Sequence, residues 1–147
     1  MRAWRSVGTS VLVVGLALSG CSSAPEASVV TTPKGTVLVY YLAVNAHDWS
    51  RAASVLSASQ QRRFLDGADS DRNNTRTVSH VTVEVRPAPF ANRAFSGYED
   101  IQQALVTYDA TFTRIESSND GPQTRFLSLG RAGRSRPWRI LSIGSGP

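Results

Sequence analysis

Few side chains in this 147-residue chain can do covalent or acid–base chemistry. Cys21 is the only cysteine, and His47 and His80 are the only histidines. A thiolate is the strongest ordinary side-chain nucleophile. A lone cysteine, however, has no partner for an internal disulfide and cannot build a cysteine-ligated metal site. The two histidines stand far apart with no carboxylate at ligand spacing, so no metal site is expected. There is no nucleophile-elbow motif and no phosphate-cradling glycine loop. Asp109 is the sharpest candidate base, because a carboxylate desolvated in a pocket can take a proton near neutral pH. His80 is the second polar candidate for such a pocket. Each has a plainer reading. Asp109 shares a strand face with Thr107 and Thr111, opposite Tyr108 and Phe112, so an apolar inner face sends it to solvent. His80 alternates in phase with Thr82, Glu84 and Arg86, a surface pattern. His47 falls in a turn. No residue is therefore assigned a catalytic role. The aromatic side chains Tyr41, Trp49, Tyr108, Phe112 and Trp138, with Tyr40, are candidates to line an apolar pocket. A domain of this size also needs such side chains as core, since each buries roughly 150–250 Å².

The elements that must place these residues change character along the chain. Thr32-Pro33 reads as a helix start, a hydroxyl N-cap followed by proline at the first helical position. Val37, Tyr40, Tyr41 and Val44 recur at three- and four-residue spacing, with Leu38 and Leu42 beside them, which predicts a helix from Pro33 to about Ala46. Asp48 is placed to cap a second helix from Trp49 to Leu56. Ser57 or Ser59 can cap a third segment ending near Phe64-Leu65. Residues 66–77 are polar, with Gly67, Asn73 and Asn74, and read as a loop. The period then falls to two: Val81, Val83 and Val85 mark a half-buried strand ended by Pro87 and Pro89. Further strands are expected over Gln103 to Ile115, Thr124 to Leu129 and Trp138 to Ile143, with a turn at Asn119-Asp120-Gly121-Pro122. Helices first and consecutive antiparallel strands after imply an α+β layer fold, helices on one face of a curved sheet of about four strands.

The start of the chain has its own pattern. Arg2 and Arg5 precede an uncharged apolar run from Val7 to Leu18, about twelve residues, where a stable span needs roughly 20. Charged start, apolar middle and small-residue site are the parts of a secretory signal. Leu18-Ser19-Gly20-Cys21 resembles the lipobox of bacterial lipoproteins. That resemblance implies cleavage before Cys21, diacylglycerol on its sulfur and a place on the extracytoplasmic face of the cell membrane. Two acyl chains at about 0.8 kcal/mol per buried CH₂ anchor stably, where one is marginal. An ordinary secretory signal with a chance cysteine is the alternative. The expected organisation is a removed signal over 1–20, a lipidated tether over 21–32 and one domain over 33–147. Loss of Arg2 and Arg5 takes 16 basic residues to 14 against 11 acidic, a formal +3. The clearest basic cluster, Arg131, Arg134, Arg136 and Arg139, reads either as a patch for anionic headgroups or wall polymers or as a solvated hairpin loop. No basic–aromatic stripe points to nucleic acid.

Three stretches together resemble the nuclear-transport-factor-2-like superfamily, the cystatin-like cone. They are Val37 to Trp49, Val106 to Phe112 and Pro137 to Pro147, and the resemblance covers about Pro33 to Pro147. It implies a bent sheet wrapping a long helix, often with a pocket between them, and homodimers are common on that fold. The family holds enzymes, ligand binders and assembly modules, so fold alone does not set the function. Two expectations follow. One is a membrane-anchored, non-enzymatic binding or accessory module of the cell envelope, with a protein, lipid or wall partner and no cofactor beyond the lipid on Cys21. The other is a small-molecule pocket with weak lyase or isomerase chemistry.

Overall fold

The computed structural model describes residues 31–67, 69–88, 95–114 and 119–145. The signal, Cys21 and most of the tether lie outside the described residues. Helix α1 runs Pro33–Asn45, α2 Trp49–Ser54, α3 Ala58–Leu65 and α4 Ser70–Asn74. Strands β1 (Thr75–Pro87), β2 (Asp100–Phe112), β3 (Gly121–Arg131) and β4 (Arg139–Gly144) form one antiparallel sheet in the order β1-β2-β3-β4. The fold is α+β, a few helices with an open four-stranded sheet.

The caps are those the sequence predicts. The Thr32 hydroxyl accepts from the Gly35 amide at 3.0 Å, and Asp48 accepts from the Arg51 amide at 3.0 Å. Ser57 caps α3. Each satisfies one of the amides that a helix start leaves without a partner. On α1 the buried face holds Val37, Val39, Tyr40, Tyr41, Ala43 and Val44. Leu42 does not belong to it and is 63% exposed, a departure from the broad stripe expected.

Residues 66–77 are not a plain loop. Asp69 caps α4 by accepting from the Asp71 and Arg72 amides at 2.8 and 3.4 Å. Arg72 ties this short helix to the end of α3 through the carbonyls of Phe64 and Leu65. Strand β1 then begins at Thr75, ahead of the alternating valines. The asparagines of the supposed loop are structural. Asn74 accepts from the Arg114 amide at 2.7 Å and donates to its carbonyl at 2.8 Å, joining α4 to the end of β2.

One irregularity in β1 decides where His80 goes. Ser79 pairs with Asp109 and Thr82 with Thr107, so His80 and Val81 together oppose Tyr108. This is a β-bulge, and His80 takes the left-handed conformation it requires, with φ 52°. The bulge shifts the alternation by one residue. Val78 and Val83 both face inward, opposite Ala110 and Val106, while His80 is thrown onto the outer face.

The core lies between the helices and the inner face of the sheet, where Ala104, Val106, Leu127, Leu129 and Ile140 are fully buried. Burying one of these valine, leucine or isoleucine side chains contributes about 1.5–3 kcal/mol. The segment after α2 covers the outer edge of β4. Ser57 donates its amide to the Ile140 carbonyl at 2.8 Å, and Ile140 donates to the Val55 carbonyl at 2.9 Å. Strand β4 is short and leaves β3 at Phe126, which pairs with Gly144. Beyond that point the inner face of β3 has no neighbouring strand from β4.

Candidate functional site

Tyr40 and Tyr41 are consecutive on α1 and both are buried, at 0% and 1% exposure. Consecutive helical residues point about 100° apart, so the two rings serve different neighbours. Tyr40 meets Phe64 edge-on at 6.2 Å, and Tyr41 packs on Tyr108 with ring centroids 4.7 Å apart. The rings themselves are T-shaped, 5.2 Å between centroids.

Polar groups gather around these hydroxyls. The Tyr40 hydroxyl donates to Asp71 Oδ2 at 3.1 Å. Asp71 is buried on α4, and its neighbour Asp69 is occupied with capping. From the sheet comes Arg125. It pairs with Val106 across β2 and β3, so it shares the inner face with Tyr108. It sits past the end of β4, half-buried, where its stem can follow apolar surface and its head can meet water. Its guanidinium comes to the Tyr108 hydroxyl.

The electrostatics follow from burial and from these neighbours. Asp71 is pushed up to about 6, first by desolvation and then by Asp69, while Arg125 and the Tyr40 hydrogen bond act the other way. Burial also raises Tyr40 and Tyr41, with Asp71 adding to it in both. Tyr108 is raised by burial and by Asp71, with Arg125 opposing. Burial disfavours the Arg125 charge, but Tyr108 and Asp71 more than offset it, and its pKa rises. The Tyr41 hydroxyl stands apart. Its polar neighbour is the Tyr108 hydroxyl, whose side-chain hydrogen-bonding interaction adds to burial in raising Tyr41, but full hydrogen-bond geometry is not met and the hydroxyl is left unsatisfied. Such groups are rare in native folds because each forfeits its hydration.

The residues singled out from sequence are dispersed. His80 and Asp109 do meet, with Nδ1 to Oδ2 at 2.9 Å, but on the outer face, their side chains 82% and 46% exposed. Ser79 Oγ lies 3.3 Å from the same Nδ1. A relay would need serine and aspartate on opposite ring nitrogens, so this is not a nucleophilic triad. The pair lies outside the core, and of the two only His80 lines a cleft, an open one. Tyr41 lines an open cleft of about 290 Å³ between α1 and β1, together with Leu38, Leu42, Asn45 and the Val78–Val81 stretch of β1, which includes His80. Tyr108 is buried against Tyr41. Trp138 is core, with Arg131 stacked over its ring at 5.1 Å. Trp49 and Phe112 are partly buried against the core. His47 is exposed in its turn and stacks near Trp49.

Two arginines of the basic cluster have structural work. Arg131 pairs with Asp100 at 2.6 Å, and Arg139 donates to the Ser54 carbonyl. The exposed Arg134 and Arg136 remain at the tip of the β3–β4 hairpin. Among the described residues no group of three or more His, Cys, Asp or Glu could hold a metal. No described helix is long and apolar enough to cross a membrane.

Sequence reasoning missed Asp71 and Arg125. A signal existed for each. Asp69-Ser70-Asp71-Arg72 carries a helix-capping aspartate, and Arg125 falls on the odd-numbered face with Leu127 and Leu129, where a strand in a half-buried sheet should be apolar. Compared with known proteins, the chain matches no family model, no curated sequence and no solved structure.

Proposed function

We propose that this chain is a lipid-anchored binding module on the extracytoplasmic face of a bacterial membrane, built on a cone of the nuclear-transport-factor-2-like kind. The anchor reading rests on Leu18-Ser19-Gly20-Cys21 behind a short apolar run. The binding reading rests on one observation: a buried, unsatisfied Tyr41 hydroxyl beside a half-buried arginine on the part of β3 that β4 does not pair with. Folded chains satisfy buried donors, so a donor left waiting next to a cation marks a place where another molecule supplies the acceptor. Nothing around it resembles a nucleophile with its base, which favours binding over turnover. The partner is an envelope protein, a lipid or a wall component.

The test is made in cells. The wild-type chain is expected in the membrane fraction, with Cys21→Ala released to the soluble extracytoplasmic fraction. Gentle crosslinking is expected to capture a partner from wild-type membranes and to lose it in the Cys21→Ala strain. A Cys21→Ala chain that stays membrane-bound would sink the anchor.

Asp71 supports a second reading, weak isomerase or lyase chemistry. A desolvated carboxylate that titrates near 6 is suited to take a proton at neutral pH, and it stands in for Asp109 and His80, which are outside. That reading requires turnover that vanishes in Asp71→Asn.

A further inference from the structure

We propose that Arg125, Tyr108 and Tyr41 form a binding site for a small oxyanion of the carboxylate kind, gated by the charge on Asp71. The proposal rests on the binding-module reading above and gives its ligand a chemistry.

Three observations carry it. Arg125 shares the inner face of β3 with Arg131, and of the two it is the one that forms no ion pair within the described residues. A guanidinium offers a planar fork of donors that fits a carboxylate with two parallel hydrogen bonds. Tyr41 adds a buried hydroxyl that meets no full hydrogen-bond geometry, and the Tyr108 hydroxyl beside it adds a second. Two hydroxyl groups beside a cation without an ion pair select an anion. An anionic ligand adds charge compensation that a neutral one cannot supply. Within the described residues the site is reachable, because β4 ends at Gly144, opposite Phe126, and Arg125 is only partly buried.

Asp71 sets the pH dependence. The groups that face it are Tyr40 and Tyr41 on α1, Asp69 on α4, Tyr108 on β2 and Arg125 on β3. Ionised, Asp71 partly compensates Arg125 and repels an incoming anion. Protonated, it leaves the arginine charge free. Anion affinity therefore rises as pH falls through about 6.

The full chain, purified in detergent, is titrated with sodium propionate between pH 5 and 7.5 and followed by chemical shifts of the tyrosine and arginine side chains. Saturable binding is expected, several-fold tighter at pH 5 than at pH 7.5. Arg125→Gln should weaken it by about tenfold or more, the scale of a hydrogen bond to a charged group. Asp71→Asn should bind at pH 7.5 as the wild type does at pH 5. Tyr41→Phe should bind more weakly while melting no lower than wild type, which separates a lost ligand contact from a damaged fold. Absence of saturable binding across the pH range overturns the site and leaves a buried water as the tyrosine's partner. Equal affinity in wild type and Arg125→Gln overturns it too. The tether is read separately, by fractionation, so a failed titration and a failed anchor are distinguishable.

Discussion

Replacing Tyr41 by Phe should make this protein more stable, although Tyr41 is among its most buried residues. The ring stays and keeps its packing on Tyr108 and Tyr40. Only the hydroxyl goes, and that hydroxyl is buried without a partner. A buried donor left unsatisfied costs about 1–3 kcal/mol. Part of that is returned on deletion, because the small void left by one oxygen costs something in lost contacts. A net gain of about 1 kcal/mol corresponds to roughly 4 °C in Tm for a domain of this size. Tyr40→Phe is the matched control, one residue away on the same helix. Its hydroxyl does have a partner, Asp71 Oδ2 at 3.1 Å. Its removal strands a buried carboxylate and should destabilise by about 1.5–3 kcal/mol. Both variants are melted by circular dichroism at pH 7 in an anion-poor buffer. Opposite signs are expected. A Tyr41→Phe variant that melts several degrees below wild type would show that the hydroxyl has a partner, and would refute the reasoning on which the oxyanion site stands.

Other expectations follow from the same structure. Asp71 has its folded pKa raised from 3.8 to about 6, so the folded state holds the proton more tightly than the unfolded state. Stability from this group is full below pH 4 and is lost as pH rises to about 6, by on the order of 3 kcal/mol. Denaturant melts of Asp71→Asn between pH 4 and 7 should lack that slope, and an unchanged slope would assign it elsewhere. Gly130→Ala should destabilise by about 1–3 kcal/mol, because a Cβ there would stand 2.7 Å from the Leu141 side chain and 3.0 Å from Tyr98. Urea unfolding checks this, and a neutral result would mean that both neighbours yield. The exposed His80–Asp109 pair should matter little. His80→Ala and Asp109→Ala are each expected within about 0.5 kcal/mol of wild type, and a larger loss in thermal melts would give the outer face a structural role that its exposure does not suggest.

What was legible in the sequence was local. Thr32, Asp48 and Ser57 announce helix starts because a cap needs only a side chain and an amide two or three residues away. The buried face of α1 follows from 3.6-residue periodicity, and the valines of β1 from alternation. The order of helices and strands is enough to call an α+β layer fold. Even the outward placing of Asp109 could be read, since Tyr108 and Phe112 claim the other face. Leu42 shows the limit, because periodicity marks an apolar residue without saying whether anything will cover it.

What only the tertiary structure decided is the meeting of residues distant in the chain. Asp71 comes from a five-residue helix inside a stretch that composition marks as loop, and it takes a hydrogen bond from Tyr40 across 31 residues. Arg125 reaches the same cluster because β3 pairs with β2 in a register that sets it opposite Val106. The bulge at His80 and Val81 places His80 beside Asp109, and no sequence pattern states that two residues will oppose one. Capping and periodicity are settled by neighbours along the chain. The environment of a charge is settled by which surfaces pack together, and only that packing turns an ordinary aspartate into one that titrates near 6 and leaves a tyrosine hydroxyl with nothing to bind.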